Sequence, residues 1–151
     1  MESKLVRRFS ITLVLIFCLF ALLLVLSGCI YKPYQFIYDV SEISAIKLVT
    51  LTTMYYESHL GEYDVLAEIK DIDAFLEEFN LIKFGYMIGD PDFPPTGANV
   101  ILITYQNGDL EGVHYYCGQF TVKNGKCDSG RRYCDKNEYE QFFSDWLRKS
   151  L

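Results

Sequence analysis

Two histidines, His59 and His114, and five cysteines are the residues whose types could carry acid–base, nucleophilic or metal chemistry in this chain. Neither histidine sits in a motif that would set it to work. There is no G-x-S-x-G elbow, no H-E-x-x-H helix and no phosphate-cradling glycine loop. Ser58 and His59 are adjacent, but neighbours along a chain do not thereby acquire the hydrogen-bond geometry of a triad. Glu57, Glu62 and Asp64 cluster close by, where solvated carboxylates of a connecting segment are the simpler reading. An enzyme is therefore not expected. The alternative is a hydrolase using His59 or His114 with a neighbouring acid.

Metal chemistry finds only partial patterns. His114-x₂-Cys117, followed by Cys127 and Cys134, makes half of a zinc site. Zinc modules pair two C-x₂₋₄-C knuckles, so no metal is expected. Asp90 and Asp92 could suggest calcium, but that ion asks for roughly six to eight oxygens at fixed spacing. Pro94 and Pro95 interrupt any such series, and no cofactor is implied. Residues 89–97 read instead as a rigid loop, because prolines forbid regular pairing. Asp90, Asp92 and Phe93 in that loop are the candidate for binding a partner, since loops often carry recognition.

The elements that must position these residues follow from periodicity. Ala45 to Met54 is rich in β-branched residues and reads as a strand. Glu62 to Ile69 alternates, with Tyr63, Val65, Ala67 and Ile69 predicted on one buried face and Asp64 and Glu68 on the wet one. Asp71 and Asp73 open a helix whose Ile72, Phe75, Leu76 and Phe79 form one apolar stripe, with Asn80 as its stop. Ile82, Phe84, Tyr86 and Ile88 alternate as a third strand. Val100 to Tyr105 is a nearly continuous apolar strand joined to Leu110–Tyr116 through a type I′ turn at Asn107-Gly108, whose two central residues need positive φ, the strongest short-range hairpin signal. A second hairpin is predicted at Asn124-Gly125. Asp135 and Glu138 then fit a capping box ahead of the stripe Tyr139, Phe142, Phe143 and Trp146, with Arg148 and Lys149 at the negative end. Together these predict an α+β fold: an antiparallel sheet of about five to seven strands, with two amphipathic helices packed on one face.

The first residues set the location. Lys4, Arg7 and Arg8 precede an apolar run, Ile11 to Leu26, whose sixteen residues reach about 24 Å as a helix. A bilayer core of about 30 Å wants roughly twenty, so the run suits a secretory signal better than a permanent span. The run ends in Leu26-Ser27-Gly28-Cys29, which resembles the lipobox of bacterial lipoproteins. The resemblance covers only the leader. It implies that Cys29 receives a diacylglyceryl group, with acyl chains such as palmitate, and becomes the first residue after cleavage. Two acyl chains suffice for stable anchoring. The expected organisation is a signal peptide over 1–28, a short tether over 29–43 and one α+β domain over 44–151. The rest of the chain is similar to small cell-envelope lipoproteins without an assigned activity.

That location constrains charge and redox state. The leader holds three bases and one acid, so residues 29–151 carry a formal charge of −8 against −6 for the whole chain. A negative domain does not bind nucleic acid or anionic lipid surfaces through charge. Cys18 leaves with the leader and Cys29 takes the lipid, so Cys117, Cys127 and Cys134 remain. Outside the cytoplasm one disulfide and one free thiol are expected. Counting outward from Asn124-Gly125 puts Cys117 opposite Arg132, two residues from Cys134, which favours Cys117–Cys134, with pairings through Cys127 as alternatives. The sequence thus predicts an extracytoplasmic, lipid-anchored cell-membrane protein acting as a binding module, with membrane contact through the lipid on Cys29 and an envelope protein as partner. An immunity- or inhibitor-like protein is a further alternative, since acidity suits a basic partner.

Overall fold

β-branched and aliphatic residues dominate Ile43–Leu51 (β1) and Asn99–Tyr105 (β4), two antiparallel neighbours inside the main sheet. A computed structural model describes residues 13, 14, 16–19, 22, 32–53, 62–86, 93–115, 118–123, 126–129 and 132–151; at 86 and 126–129 it describes the backbone alone. The chain divides into two compact units, residues 1–32 and 33–151. In the first, the described residues of 13–22 are helical. Among the described residues no helix is long and apolar enough to cross a membrane.

The second unit is α+β. Its other elements are a 3₁₀ turn, Val40–Glu42, strands β2 (Tyr63–Glu68), β3 (Gly85–Tyr86), β5 (Leu110–His114), β6 (Gly118–Lys123), β7 (Lys126–Ser129) and β8 (Arg132–Tyr133), and helices α1 (Ile72–Phe79) and α2 (Lys136–Ser150). Six strands form one antiparallel sheet in the order β2-β1-β4-β5-β6-β7, and β3 pairs with β8 in a small second sheet. Asp71 and Asp135 cap the helices by accepting the N–H of Ala74 and Glu138, each at 3.0 Å. This satisfies donors that a helix start leaves without partners.

Both helices pack on one face of the sheet, as predicted. Phe75 and Phe79 of α1 and Tyr139, Phe143 and Trp146 of α2 share a cluster with Ile46, Leu48, Ile101, Ile103 and Val113. The helices also touch each other, with Phe75 edge-on to Phe142 at 5.1 Å and to Trp146 at 5.2 Å. Side chains alternate across a strand, so Val49, Leu51, Val100 and Leu102 point to the opposite face. There they join Phe120 and Val122 in a second cluster that contains no residue of either helix. Burial on both faces explains why β4 reads as a continuous apolar run rather than an alternating one.

Several expectations change in detail. The alternation of β2 does not bury one face. Leu48 pairs with Ala67 but Val49 pairs with Val65, so Leu66 is an extra residue in a β-bulge. Ala67 and Ile69 therefore join the helix-side cluster, Tyr63 packs against the second cluster, and Val65 and Leu66 are left exposed side by side. The predicted third strand shrinks to β3, with Ile82 and Phe84 buried ahead of it; Ile88 lies outside the described residues.

The β4–β5 turn is longer than two residues. Tyr105 N–H donates to Asp109 C=O at 3.0 Å and Gly108 N–H to Tyr105 C=O at 2.9 Å, closing a three-residue loop. Gly108 supplies the positive φ of 87° that such a loop needs. The β6–β7 hairpin has the predicted register, Lys123 opposite Lys126 and Val122 opposite Cys127. Residues 33–43, read from sequence as tether, belong to the folded unit, and Tyr34 lies in its core at 4 % exposure.

Candidate functional site

Two places in the folded unit gather polar chemistry. The first lies where β4 and β5 part company. Their ladder runs from Thr104↔Leu110 to Ile101↔Val113, and Asn99 and His114 lie beyond its last pair. The phenol of Tyr139, carried there by α2, donates to the carbonyls of Val113 at 2.8 Å and Asn99 at 2.9 Å. It closes the end of the ladder and leaves a cleft of about 200 Å³ lined by residues 95–99, His114, Tyr115 and Glu140.

His114 is the chemically interesting wall of that cleft. It is 3 % exposed, beside the Tyr115 ring at 4.4 Å and the Tyr139 ring at 5.9 Å. Burial pushes its pKa down to about 4, and the positive charge of Lys136 adds to the shift. The imidazole is therefore neutral at physiological pH but a weak base, far from the value that suits general-base catalysis near neutrality. The cleft is also smaller than the roughly 300–1,000 Å³ of small-molecule sites. Its walls offer a neutral imidazole, a carboxylate and an amide, enough to hold one side chain or a few atoms of a ligand.

The titration of His114 has a measurable consequence. The unfolded chain binds its proton near pH 6.5 and the folded chain only near pH 4. Between those values the unfolded state holds more protons, so stability falls as pH drops from 6.5 to 4. The loss reaches about 3 kcal/mol at most. Urea midpoints measured from pH 7 to pH 4.5 should fall more steeply for the parent than for His114→Gln. Parallel slopes would refute a buried, neutral His114.

The second place is a buried carboxylate. Glu111 shares a face of β5 with Val113, turned toward the helices, and is 0 % exposed. Its Oε1 accepts from the Tyr34 hydroxyl at 2.5 Å and from the Gln119 amide; its Oε2 accepts from the Tyr105 hydroxyl and from the Ile37 N–H at 3.2 Å. No ion-pairing cation accompanies it among the described residues. Burial first, and then the neighbouring Glu111, hold both phenols well above the ordinary tyrosine pKa.

Three of these donors have a mechanical meaning. Tyr34 and Ile37 belong to the segment that precedes the 3₁₀ turn, and Gln119 also donates to the Gln35 carbonyl at 3.0 Å. Arg132 donates to the Gln35 side chain, Tyr38 donates to Asp109, and the Lys123 ammonium lies 4.9 Å over the Tyr38 ring. Tyr34 and Phe36 meet Phe79, and Tyr34 meets Phe84, through ring contacts of 4.9–6.0 Å. Residues 34–38 are thus a strap fastened across β5, β6, β8 and α1. The sequence reading missed it. The available signal was Glu111 itself, a charge in phase with Val113 on the buried side of a predicted strand.

The other sequence candidates separate. Cys29, His59, Asp90, Asp92 and Cys117 lie outside the described residues. Phe93 is half-buried and packs against the second core cluster, and Pro94 is buried. Cys127 stands opposite Val122 in β7. Cys134 is a buried thiol, free among the described residues, whose pKa burial pushes up to about 12; Cys117, its preferred partner from sequence, is not among them. Among the described residues no three histidine, cysteine, aspartate or glutamate side chains converge as metal ligands. Comparison with protein-family models, curated proteins and solved structures finds no match for this chain.

Proposed function

We propose that this chain is a lipid-anchored, extracytoplasmic membrane protein whose acidic domain works as a binding module at the cell envelope. The anchor rests on Leu26-Ser27-Gly28-Cys29 and the apolar run before it. The strap is the observation that carries the rest. The second compact unit begins at Pro33, four residues after Cys29, and is locked from Tyr34 onward. Four extended residues span at most about 14 Å. A domain attached this closely acts on what comes to the bilayer surface, not on distant targets.

Binding is favoured over catalysis because His114, the histidine that lines the described cleft of about 200 Å³, is a weak base there. An immunity- or inhibitor-like role is the second reading, favoured by the concentration of acids between residues 62 and 78. The anchor has a direct test. Cells producing the chain and fed labelled palmitate should label the parent, while Cys29→Ala should take up none and accumulate as a longer precursor. Unchanged labelling of Cys29→Ala would overturn the assignment.

A further inference from the structure

We propose that the open edge at β2, with the acidic stretch that follows it, is a docking surface for a basic protein segment. This rests on the binding-module reading and gives it a place and a partner chemistry. Among the described residues β2 pairs with β1 alone, so its outer side presents backbone groups with no ladder partner there. The bulge at Leu66 exposes Val65 at 51 % and Leu66 at 37 %, an adjacent apolar pair on that edge. Glu62, Asp64 and Glu68 flank the pair and are exposed.

The charge is concentrated in this part of the sequence. Residues 62–78 hold seven acids and one base, Lys70, a formal −6 out of the −8 carried by residues 29–151. Asp71 is engaged in capping α1, and Glu78 pairs with Lys149 at 2.8 Å. Glu62, Asp64, Glu68, Asp73 and Glu77 make no ion pair among the described residues, although Lys47 stands opposite Glu68 in the ladder. The sign of this surface selects its occupant. A second copy would set like charge on like, and anionic lipid or nucleic acid would be repelled. A segment alternating cationic and apolar side chains instead covers Val65 and Leu66 and meets the acids on either side. Because the bulge interrupts a regular ladder, side chains rather than a long run of main-chain bonds carry the contact.

The test uses the full chain in neutral detergent micelles and a fluorescent eight-residue peptide alternating lysine and valine. The parent should bind it saturably at about 0.1 M salt, where surface charges are screened beyond about 10 Å. Asp64→Lys with Glu68→Lys should weaken binding at least about tenfold, and Val65→Ser with Leu66→Ser about fivefold. The remote pair Glu42→Lys with Glu138→Lys should change it by less than about twofold. Amide exchange in residues 63–68 should slow when the peptide is bound. Absence of saturable binding by the parent overturns the proposal, as does an equal loss from the remote pair, which would mean bulk charge alone. Lipidation plays no part in this measurement, so failure of the Cys29 experiment and failure of this one are separate results.

Discussion

Replacing Glu111 with alanine is expected to destabilise the folded unit by about 4 kcal/mol, the combined effect of several buried donors losing their acceptor at about 1–3 kcal/mol each. The truncation leaves the hydroxyls of Tyr34 and Tyr105, the Gln119 amide and the Ile37 N–H without the oxygens they now share. Some regain water, which is why the loss falls short of the full sum. Glu111→Gln keeps one carbonyl acceptor but turns an amide donor toward other donors, so it should cost less, about 2 kcal/mol. Urea unfolding gives both values. Hydrogen exchange adds a local readout: amides of residues 34–38 should exchange faster in Glu111→Ala, because the strap loses two of its bonds. Parent-like stability in Glu111→Ala would show that the carboxylate does not fasten the strap.

Gly118→Ala should cost a comparable amount, about 3–5 kcal/mol, from backbone strain and a steric clash acting together. Gly118 has a φ of 65°, in the left-handed region, and a Cβ there would stand 1.2 Å from the Arg132 carbonyl oxygen. That oxygen belongs to the backbone of β8, so relief requires β8 to leave β6 and strain its pairing with β3. Gly108 is the matched control. Its φ is 87°, yet a Cβ added there meets nothing within 4 Å. Gly108→Ala should therefore cost only about 1–2 kcal/mol, the conformational part alone. Equal losses in the two variants, by the same urea measurement, would mean that the β6–β8 approach is not tight.

The two helices were legible because each carries its own evidence within eight to fifteen residues: an acidic cap, an apolar stripe at i, i+3, i+4, i+7, and a stop. The β6–β7 register was legible for a similar reason, since Asn124-Gly125 fixes which residues face each other on leaving the turn. β2 was misread because a bulge leaves no mark in a hydrophobic pattern. Tyr63, Val65, Ala67 and Ile69 alternate without a break, while the extra residue Leu66 sends the two halves to opposite faces. The β4–β5 turn was misread by one residue because Asn107-Gly108 also serves a three-residue loop with glycine in the left-handed position.

The strap was hidden for a deeper reason. Glu111 lies 74 and 77 residues from Ile37 and Tyr34, and no local pattern announces a bond across that separation.

By itself, then, the sequence determined the α+β class, both helices, one hairpin register and the acidity of residues 29–151. These follow from local propensity and composition, which act over a few residues at a time. The proposed anchor at Cys29 rests on a resemblance to a lipobox alone. Only the tertiary structure decided that residues 33–43 are part of the domain, that His114 is buried and neutral, and that Val65 and Leu66 stand exposed on an open, acidic edge. Each depends on which strands and segments meet in space, and burial and desolvation take their values only once the chain has folded around them.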